Sequence, residues 1–430
     1  MSLKKKSVHH YIKWTFYSSL SGLLAGISSA FFLFSLKWVT DTRDLHPVII
    51  WGLPLAGLFI GWVYHQFGKE AARGNNLILD EIHNPRKVLP FRMAPLVLGG
   101  TLLTHLFGGS AGREGTAVQM GASLSDQLSK IFKLSAEERK ILLAAGAGAG
   151  FGAAIGAPWA GVVFGMEMIH VGKLRLFAWF ECLVASWVGY GLCILLEAPH
   201  THYPLFDIPT YTFQNFFFIL LAGILFGLVA QVFVHATHAV EKWQSKWVSF
   251  APLRPFWGGI FLIILFYIEG SYRYVGLGLP YIQQALVQMD SFRDPALKTF
   301  FTAITLGSGF KGGEFIPLVY IGTTLGSALG LIFPISYQLL AGVGFAALFG
   351  AASNTPIACS LMAIEIFGPR IAPYAFLACF VGYYFSGRQT IYRSQKFNGS
   401  KRERTLALLS LLGELPKRFV SVGSHRSGKK

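Results

Sequence analysis

Polar, glycine-rich stretches interrupt the apolar runs of this chain, and they constrain its fold more than any other feature of the sequence. The stretches begin at Gly74, Gly112 and Gly312, and each one opens an apolar run. At membrane depth, non-helical backbone survives only where it is buried in protein or lines a polar cavity. The interruptions therefore predict broken helices that end inside the protein.

Composition indicates that most of the chain lies in a membrane. Of its 430 residues, 53% are hydrophobic and 13% are charged, whereas soluble domains carry roughly 25% charged residues. At about 20 apolar residues per crossing, the chain can supply around ten crossings, with no soluble domain left over. We predict an all-α polytopic membrane protein. Its apolar runs cover residues 13–39, 48–66, 93–108, 141–166, 174–197, 213–235, 256–268, 300–310, 318–350, 356–367 and 371–386.

Basic residues gather at both ends of the chain, and those between them are scattered singly. By the positive-inside bias, this distribution predicts that both termini lie in the cytoplasm and that the number of crossings is even. The net charge of +16 is not gathered on one face, which disfavours a nucleic-acid partner. The terminal basic residues are Lys4, Lys5, Lys6 and Lys13 at the start, and Lys396, Lys401, Arg402, Arg404, Lys417, Arg418, Arg426, Lys429 and Lys430 at the end.

The two halves of the chain repeat one another. Six residues from Thr101 to Leu124 match residues of the same type 201 positions later, and six from Phe151 to Glu167 match residues 198 positions later. Broken segments at corresponding positions of two halves are typical of transporters, whose binding site lies near the bilayer midplane. The repeats cover about residues 13–197 and 213–394. We predict a transport domain over residues 1–394 and a basic cytoplasmic tail over residues 395–430.

The interruptions are candidates for an anion-binding site. Several helix N-termini that face one point gather free N–H groups and positive dipole ends, which hold an anion without a full positive charge. Glu114 is the sharpest candidate, because a carboxylate among N–H donors occupies the site when ionised and leaves it when protonated. An ionisable group inside the membrane is a functional candidate by default. The alternatives are that Glu114 pairs with Arg113 at a loop surface and that Glu314 pairs with Lys311.

Three further polar residues carry expectations. Glu167 and Glu365 occupy matching repeat positions, each nine residues after a proline, and we expect them to cap or pair helix ends near the cytoplasm. The hydroxyl of Tyr392 can meet an anion, although a lone tyrosine at a membrane edge is more often an interfacial anchor.

One motif argues for a different class of protein. Residues 108–112 fit G-x-S-x-G, the nucleophile elbow of serine hydrolases. The elbow requires a soluble α/β core, which this composition does not provide. The alternative that is left is an intramembrane serine hydrolase that uses Ser110 with His105 or His170.

Two longer motifs carry a family resemblance. The runs Gly112–Gly121 (GREGTAVQMG) and Gly313–Pro317 (GEFIP) resemble the signatures GREGP and GxFxP of the CLC chloride channels and transporters. The resemblance spans most of the chain, including Tyr392. It implies two inverted repeats whose broken helices meet at a midplane anion site, and a multi-pass homodimer with one anion pathway per subunit. It also implies the cytoplasmic (inner) membrane, with both termini cytoplasmic.

Departures from the chloride signatures resemble the fluoride/proton antiporter branch of that family. The chloride proteins have GSGIP where this chain has GNNLI at residues 74–78, proline where it has Thr116, and no acidic residue at Glu314. Met168 stands where chloride/proton antiporters have the second glutamate of an internal proton relay. Phe315 departs in the other direction, because it keeps the aromatic residue of the chloride motif.

The resemblance to this branch implies roles for individual residues. Glu114 would be the gating glutamate and the proton carrier, and Asn75 would replace the chloride-coordinating serine. Fluoride is small and tightly hydrated, so its desolvation demands dense hydrogen-bond donors, which an Asn75 amide group supplies. The implied anion-contacting residues are Asn75, Gly112, Arg113, Gly115, Gly313, Glu314, Phe315, Ile316 and Tyr392.

We therefore predict a proton-coupled antiporter that exports fluoride, is not an enzyme and needs no cofactor or metal. Its partners would be fluoride, possible chloride, protons, membrane lipid and a second copy of the chain. The first alternative is a CLC chloride/proton antiporter or a voltage-gated-type chloride channel. A carrier of organic solutes with broken helices is the second.

Overall fold

The computed structural model describes residues 8–397 apart from 172, 173 and 175, together with residue 401. The predicted all-α fold is confirmed, and short 3₁₀ or π turns join several of the helices. Lys4, Lys5, Lys6 and most of the predicted basic tail lie outside the described residues. The helices are α1 (Val8–Leu45), α2 (Leu53–Val63), α3 (Asn75–His83), α4 (Met93–Leu106), α5 (Glu114–Ile131), α6 (Ala136–Ile155), α7 (Pro158–Glu167), α8 (Trp179–Leu195), α9 (Phe213–Trp247), α10 (Leu253–Glu269), α11 (Leu279–Val287), α12 (Arg293–Gly307), α13 (Phe315–Leu329), α14 (Tyr337–Ser353), α15 (Pro356–Phe367) and α16 (Ala372–Phe385).

Helices α1–α8 of the first half correspond one by one to α9–α16 of the second half. Helices α5 and α13 begin 201 residues apart, at Glu114 and Phe315, and α7 and α15 begin 198 residues apart, at Pro158 and Pro356. These are the two spacings that the sequence repeat contains. The internal repeat is therefore a repeat of structure.

The two halves run in opposite senses. Gly112 and Gly313, which match in the repeat, form an isolated antiparallel bridge. The Gly112 N–H donates to the Gly313 carbonyl at 2.6 Å, and the Gly313 N–H donates to the Gly112 carbonyl at 2.8 Å. Each half thus gives the other the same bond, as expected of two halves related by a local two-fold axis. The inverted repeats implied by the family resemblance are confirmed.

Several apolar runs are broken into shorter helices, as the sequence predicts. The run at residues 141–166 divides into α6 and α7 because Gly156 adopts a positive φ of 84° and Pro158 begins the next helix. The run at residues 318–350 divides into α13 and α14. Helix α11 contains only 9 residues and lies between the apolar runs that the sequence analysis identified. Short broken helices of this kind end inside the protein.

Helices α5, α6, α13 and α14 form the buried centre of the molecule. Their glycines let backbones approach closely, which is typical of helix packing in membranes. A methyl group at Gly121 would lie 2.4 Å from the Gly146 carbonyl oxygen, and one at Gly322 would lie 2.1 Å from the Gly344 carbonyl oxygen. These two contacts match in the repeat, so the same close helix packing occurs within each half.

Four helical segments in the described part of the chain are long and apolar enough to cross a membrane. Large apolar side chains on two of them face outwards: Phe31 is 59% exposed and Phe213 is 87% exposed. Such a surface suits lipid better than water. The four segments are Val8–Leu45, Pro47–His83, Leu176–Leu195 and Phe213–Trp247.

Candidate anion site

The bridge between Gly112 and Gly313 brings the N-termini of α5 and α13 together. At the start of α5 the N–H of Gly115 has no protein acceptor within the described residues, and at the start of α13 the same holds for Phe315 and Ile316. The first N–H groups of any helix lack an intrahelical partner. Two helix starts therefore offer free donors and positive dipole ends in one small region.

The bridge glycines keep these donors open. A methyl group at Gly313 would lie 2.8 Å from the Gly115 nitrogen, and one at Gly112 would lie 3.0 Å from the Ile316 nitrogen. Each glycine thus clears space in front of a donor that belongs to the other half. Any larger residue at either position would fill the space where an anion could accept those bonds.

Asn75 reaches the same region from the start of α3. A methyl group at Gly115 would lie 3.5 Å from Asn75 Nδ2 and 3.8 Å from Glu314 Oε2. The Asn75 side chain is 8% exposed, and its Oδ1 atom has no hydrogen-bond partner in the described chain. Gly74, with a positive φ of 56°, turns the backbone into α3, and no side chain caps this helix. Asn75 Nδ2 donates to no acceptor among the described residues, so its NH₂ group is available to an anion.

The neighbouring asparagine has a different task. Asn76 Oδ1 accepts a hydrogen bond from the Ser394 N–H at 3.0 Å. This bond ties the segment that follows α16 to the start of α3, and so holds Tyr392 beside the site.

Glu114 is buried at the first position of α5, with 1% of its surface exposed. Its carboxylate accepts a hydrogen bond from Arg113 Nε at 3.1 Å and one from the Arg113 N–H at 3.2 Å. Arg113 also donates from a terminal nitrogen to Thr201 Oγ1 at 3.2 Å. The pair that was one alternative in the sequence analysis does form. Its predicted place at a loop surface is wrong, because both side chains are buried.

Glu314 faces a cavity and pairs with no cation among the described residues. It is the N-cap residue of α13 and lines a narrow cavity of about 160 Å³, together with Asn75, Gln119 and Tyr392. The alternative that Glu314 pairs with Lys311 is wrong: the Lys311 ammonium lies over the Tyr64 ring, 4.1 Å from its centre. Gly312, with a φ of 151°, turns the chain between the two side chains.

The narrow cavity continues into a wide cavity of about 600 Å³. Eight residues line both cavities and so mark their junction, among them Tyr64, Lys311 and Glu314. Neither cavity includes Glu114 among its described lining residues. Besides Tyr64, Lys311 and Glu314, the polar and charged residues of the wide cavity are His65, Lys69, Asn76, Thr237, His238, Glu241, Arg254, Ser308 and Arg393.

Tyr392 lies at the site and not at a membrane edge. Its side chain is 3% exposed and lines the narrow cavity with Glu314. The interfacial position that was its alternative is therefore wrong. Tyr64 and Gln119 also line the narrow cavity, and the sequence analysis did not single them out. The signal available for Gln119 was its place on α5, about one and a half turns after Glu114.

Phe315 contributes its backbone N–H to the region, while its ring packs away from the cavities. The ring is 2% exposed and contacts Phe349 edge-on at a centroid distance of 4.7 Å and Phe151 at 5.5 Å. Phe151 and Phe349 match in the repeat, so a pair of equivalent aromatic residues encloses it. This ring is a packing residue in the structure.

Glu167 and Glu365 cap helices, as expected, and each caps the helix of the other half. Glu167 accepts from the N–H groups of Ile357 and Ala358 at 3.1 and 2.8 Å. Glu365 accepts from those of Trp159 and Ala160 at 2.9 and 2.8 Å. The structure does not place the two carboxylates side by side at one end of the helices. Because α7 and α15 are antiparallel, the two carboxylates lie at opposite ends of the helix pair.

Ser110 is not arranged as a hydrolase nucleophile. Its hydroxyl is fully buried and shares a hydrogen bond with Thr302 Oγ1 at 2.9 Å. The His105 ring uses Nε2 on the Gly112 carbonyl at 3.4 Å, and the His170 ring packs against His83. No strand precedes Ser110 in the described chain, so the nucleophile elbow is missing.

The comparisons with known proteins agree with this geometry. The family model described as voltage gated chloride channel matches residues 56–387. A chloride/fluoride channel protein from Pseudomonas syringae pv. tomato is 44% identical over 400 residues, which cover 92% of this chain and 88% of that protein. An H(+)/Cl(-) exchange transporter from Vibrio cholerae serotype O1 is 30% identical over 390 residues, which cover 82% of this chain and 81% of that protein.

Solved structures show the same fold. The crystal structure of a CLC-type fluoride/proton antiporter matches with a TM-score of 0.88 at 30% identity, covering 92% of this chain and 100% of that one. A slow cyanobacterial Cl⁻/H⁺ antiporter matches with a TM-score of 0.77 at 22% identity, covering 92% and 98%. The second likeness concerns the fold alone.

Proposed function

Because this chain belongs to the voltage-gated chloride channel family, we propose that it is a proton-coupled antiporter that exports fluoride. The similarity to a chloride/fluoride channel protein and to a fluoride/proton antiporter supports this choice of ions within the family. The proposal goes further than family membership in three respects: the ion that is carried, the direction of transport and the residues that perform it.

The observation that carries the proposal is the meeting of free donors with two carboxylates, the buried Glu114 and the partly buried Glu314. The N–H groups of Gly115, Phe315 and Ile316 and the amide of Asn75 gather in one region, with Glu314 beside them. Donors of this density can replace much of the hydration shell of a small, hard anion, whose uncompensated desolvation would be expensive. None of these donors carries a full charge, so the anion can also leave.

Exchange would depend on Glu114. In the structure its carboxylate folds back onto Arg113, which leaves the Gly115 N–H open. When ionised, the same carboxylate can swing towards the donors and occupy the place of the anion. When protonated, it loses its charge and yields that place. The anion and the ionised carboxylate compete for one set of donors, and a proton removes the carboxylate from that competition, which couples anion movement to proton movement.

Met168 supports a proton route that relies on Glu114. Its side chain is fully buried and its carbonyl accepts from Gln395 Nε2 at 2.9 Å. A thioether cannot carry a proton at neutral pH. A second titratable group behind Glu114 is therefore not supplied by this position.

The setting of the transporter follows from the same family. We propose that it works as a homodimer in the cytoplasmic membrane, with both termini in the cytoplasm and lipid against α1 and α9. Each subunit would contain its own anion pathway, because the donors of the site come from the two halves of one chain.

The test is anion efflux from proteoliposomes that are loaded with fluoride or chloride, read by ion-selective electrodes under an imposed pH gradient. We expect fluoride efflux that is coupled to proton uptake, with chloride efflux much slower. Fluoride efflux that ignores the pH gradient would contradict the antiport mechanism.

A chloride/proton antiporter is the second candidate, and the similarity to the Vibrio cholerae exchange transporter favours it. Equal or faster chloride efflux in the same experiment would select this candidate. The packing of Phe315 against Phe151 and Phe349 weakens its main sequence argument, because this ring does not line the cavities.

A further inference from the structure

Lys311 is partly buried at the cavities and forms no ion pair or hydrogen bond with the described residues. Its ammonium contacts the face of the Tyr64 ring at 4.1 Å from the centre. No carboxylate and no hydrogen-bond acceptor contacts it within the described residues. A methyl group at Gly100 would lie 2.9 Å from Lys311 Cγ, so the aliphatic part of the side chain packs against α4.

An interior lysine shows how this chain satisfies a cation that has only a structural role. Lys298 is fully buried and donates to the carbonyl oxygens of Tyr274 and Gly276 at 3.1 and 2.8 Å. It lies 5.1 Å from the centre of the Tyr320 ring as well. Both lysines thus have an aromatic ring, but only Lys298 has acceptors. The N–H donors of Lys311 have no acceptor among the described residues.

The position of Lys311 indicates what those donors can bind. Lys311 and Glu314 are among the residues that line both cavities, so the ammonium lies where an ion would move between them. The other carboxylate of the wide cavity, Glu241, is paired with Arg393. Lys69 and Arg254 line the wide cavity too, which leaves it positive overall when the histidines are neutral. A positive cavity concentrates anions and raises their rate of entry.

We propose that Lys311 and Tyr64 form a separate halide-binding site at the junction of the two cavities. This site receives the anion before it reaches Asn75 and the free N–H groups. The proposal rests on the proposed function in that the anion is fluoride or chloride. The ammonium is a compact point charge with three donors, and the Tyr64 ring covers one side of it through a cation–π contact. The remaining donors face the cavity.

The site explains how a donor cluster without a full charge can be filled. A buried ion pair would have neutralised Lys311, and a bidentate guanidinium would hold a small anion more firmly. An unpaired ammonium raises the local anion concentration one step ahead of the uncharged donors. The cost of leaving a partly buried cation unpaired is consistent with a functional role.

The first test compares Lys311→Gln and Lys311→Arg with the wild type in fluoride-loaded and chloride-loaded proteoliposomes. For whichever halide the wild type transports, Lys311→Gln should raise the half-saturating concentration about tenfold, as expected for the loss of about 1.4 kcal/mol of anion binding. Lys311→Arg should stay within about threefold of the wild type, and the number of protons per anion should not change in either variant. Lys140→Gln removes the same charge from an exposed pair with Glu137 and should change nothing.

The second test varies the charge in one folded protein. Lys311→Cys can be labelled with methanethiosulfonates, since the four native cysteines are all buried. Aminoethyl methanethiosulfonate attaches an ammonium of nearly lysine length and should restore most of the lost affinity. Sulfonatoethyl methanethiosulfonate attaches an anion and should lower the affinity further. A residue that only fills space would respond to both reagents alike.

These outcomes separate the inference from the proposed function. Wild-type half-saturation in Lys311→Gln, or equal effects of the two reagents on Lys311→Cys, would overturn the halide site. If the wild type transports chloride and not fluoride, the proposed function fails. The Lys311 variants would then still test the halide site, with chloride as the probe.

Discussion

The two helix starts that meet at the glycine bridge share a backbone arrangement but differ in their charges. In the repeat register Arg113 matches Glu314, and Glu114 matches Phe315. In the first half, the cation and the carboxylate are neighbours and pair with each other. In the second half, the carboxylate lies where the first half has its arginine, faces a cavity and has no cation partner in the described chain.

This difference teaches which part of the site depends on symmetry. The free N–H groups come from the backbone, and both inverted halves provide them through the same bridge. The titratable groups come from side chains and are placed asymmetrically. Glu114 lies outside the described lining of the cavities, while Glu314 lies at their junction. We infer that the repeat symmetry supplies the backbone donors of the proposed anion site. The side chains do not follow the symmetry, so the two carboxylates have different surroundings.

Glu114→Gln should have the largest effect on transport. The amide cannot exchange a proton, so proton-coupled fluoride efflux should fall by about 100-fold or more, a typical loss when a proton-transferring group is removed. The readout is the rate of fluoride efflux, with proton flux measured in parallel. Retention of proton-coupled fluoride transport in this variant would count decisively against the mechanism.

Glu314→Ala tests whether the unpaired carboxylate belongs to the pathway. The variant removes the group beside Asn75, and fluoride transport should slow roughly tenfold, equivalent to about 1.4 kcal/mol. Glu314→Gln, which keeps the size of the side chain and one accepting oxygen, should lose less. Wild-type rates in both variants would leave Glu314 with a structural role only.

Gly313→Ala and Gly112→Ala ask whether both halves supply donors. The added methyl groups would lie 2.8 Å from the Gly115 nitrogen and 3.0 Å from the Ile316 nitrogen, respectively. Each variant should therefore weaken fluoride binding several-fold, on the order of one hydrogen bond to a charged group. Titration calorimetry of fluoride into the purified proteins measures this loss.

Gly99→Ala is the matched control for the two bridge variants. A methyl group at Gly99 has nothing within 4 Å, so fluoride binding should be unchanged. A normal affinity in one bridge variant, together with a loss in the other, would assign the donors to one half alone.

The smallest effect is expected at the reciprocal caps. Glu167→Gln and Glu365→Gln each replace one of two accepting oxygens, so each should lower the stability by about 1 kcal/mol, typical of a lost cap. Glu167 is 3% exposed, whereas Glu365 is only partly buried. We expect the midpoint of thermal unfolding in detergent to fall further for Glu167→Gln than for Glu365→Gln. Fluoride efflux at room temperature should be unaltered in both variants. Equal midpoints in both variants and the wild type would remove the capping role.

The sequence was sufficient to predict the architecture because the repeat and the interruptions are local patterns. The starts of α3, α5 and α13 coincide with the three glycine-rich stretches. The capping role of Glu167 and Glu365 also followed from their repeat positions. That each would cap the helix of the other half did not follow, because the inversion of the repeats leaves no trace in spacing.

The side-chain partners in the site were the least predictable part. Spacing alone allowed Glu314 to pair with Lys311, but the Lys311 ammonium lies over the Tyr64 ring instead. The same spacing argument favoured a surface position for the pair of Arg113 and Glu114, which the surrounding helices bury. Such outcomes depend on which elements enclose a turn, and this information comes from contacts between residues far apart in the chain.

The reciprocal caps also determine when each cap can form during synthesis of the chain. The N–H group of Trp159 bonds to a carboxylate 206 residues later in the chain. At about 5 to 20 residues per second, the ribosome needs roughly 10 to 40 s to supply it. During that interval the start of α7 has an unfilled donor pair inside the bilayer or the insertion machinery. The cap of α7 in the first half is therefore completed only after α15 of the second half has been synthesised.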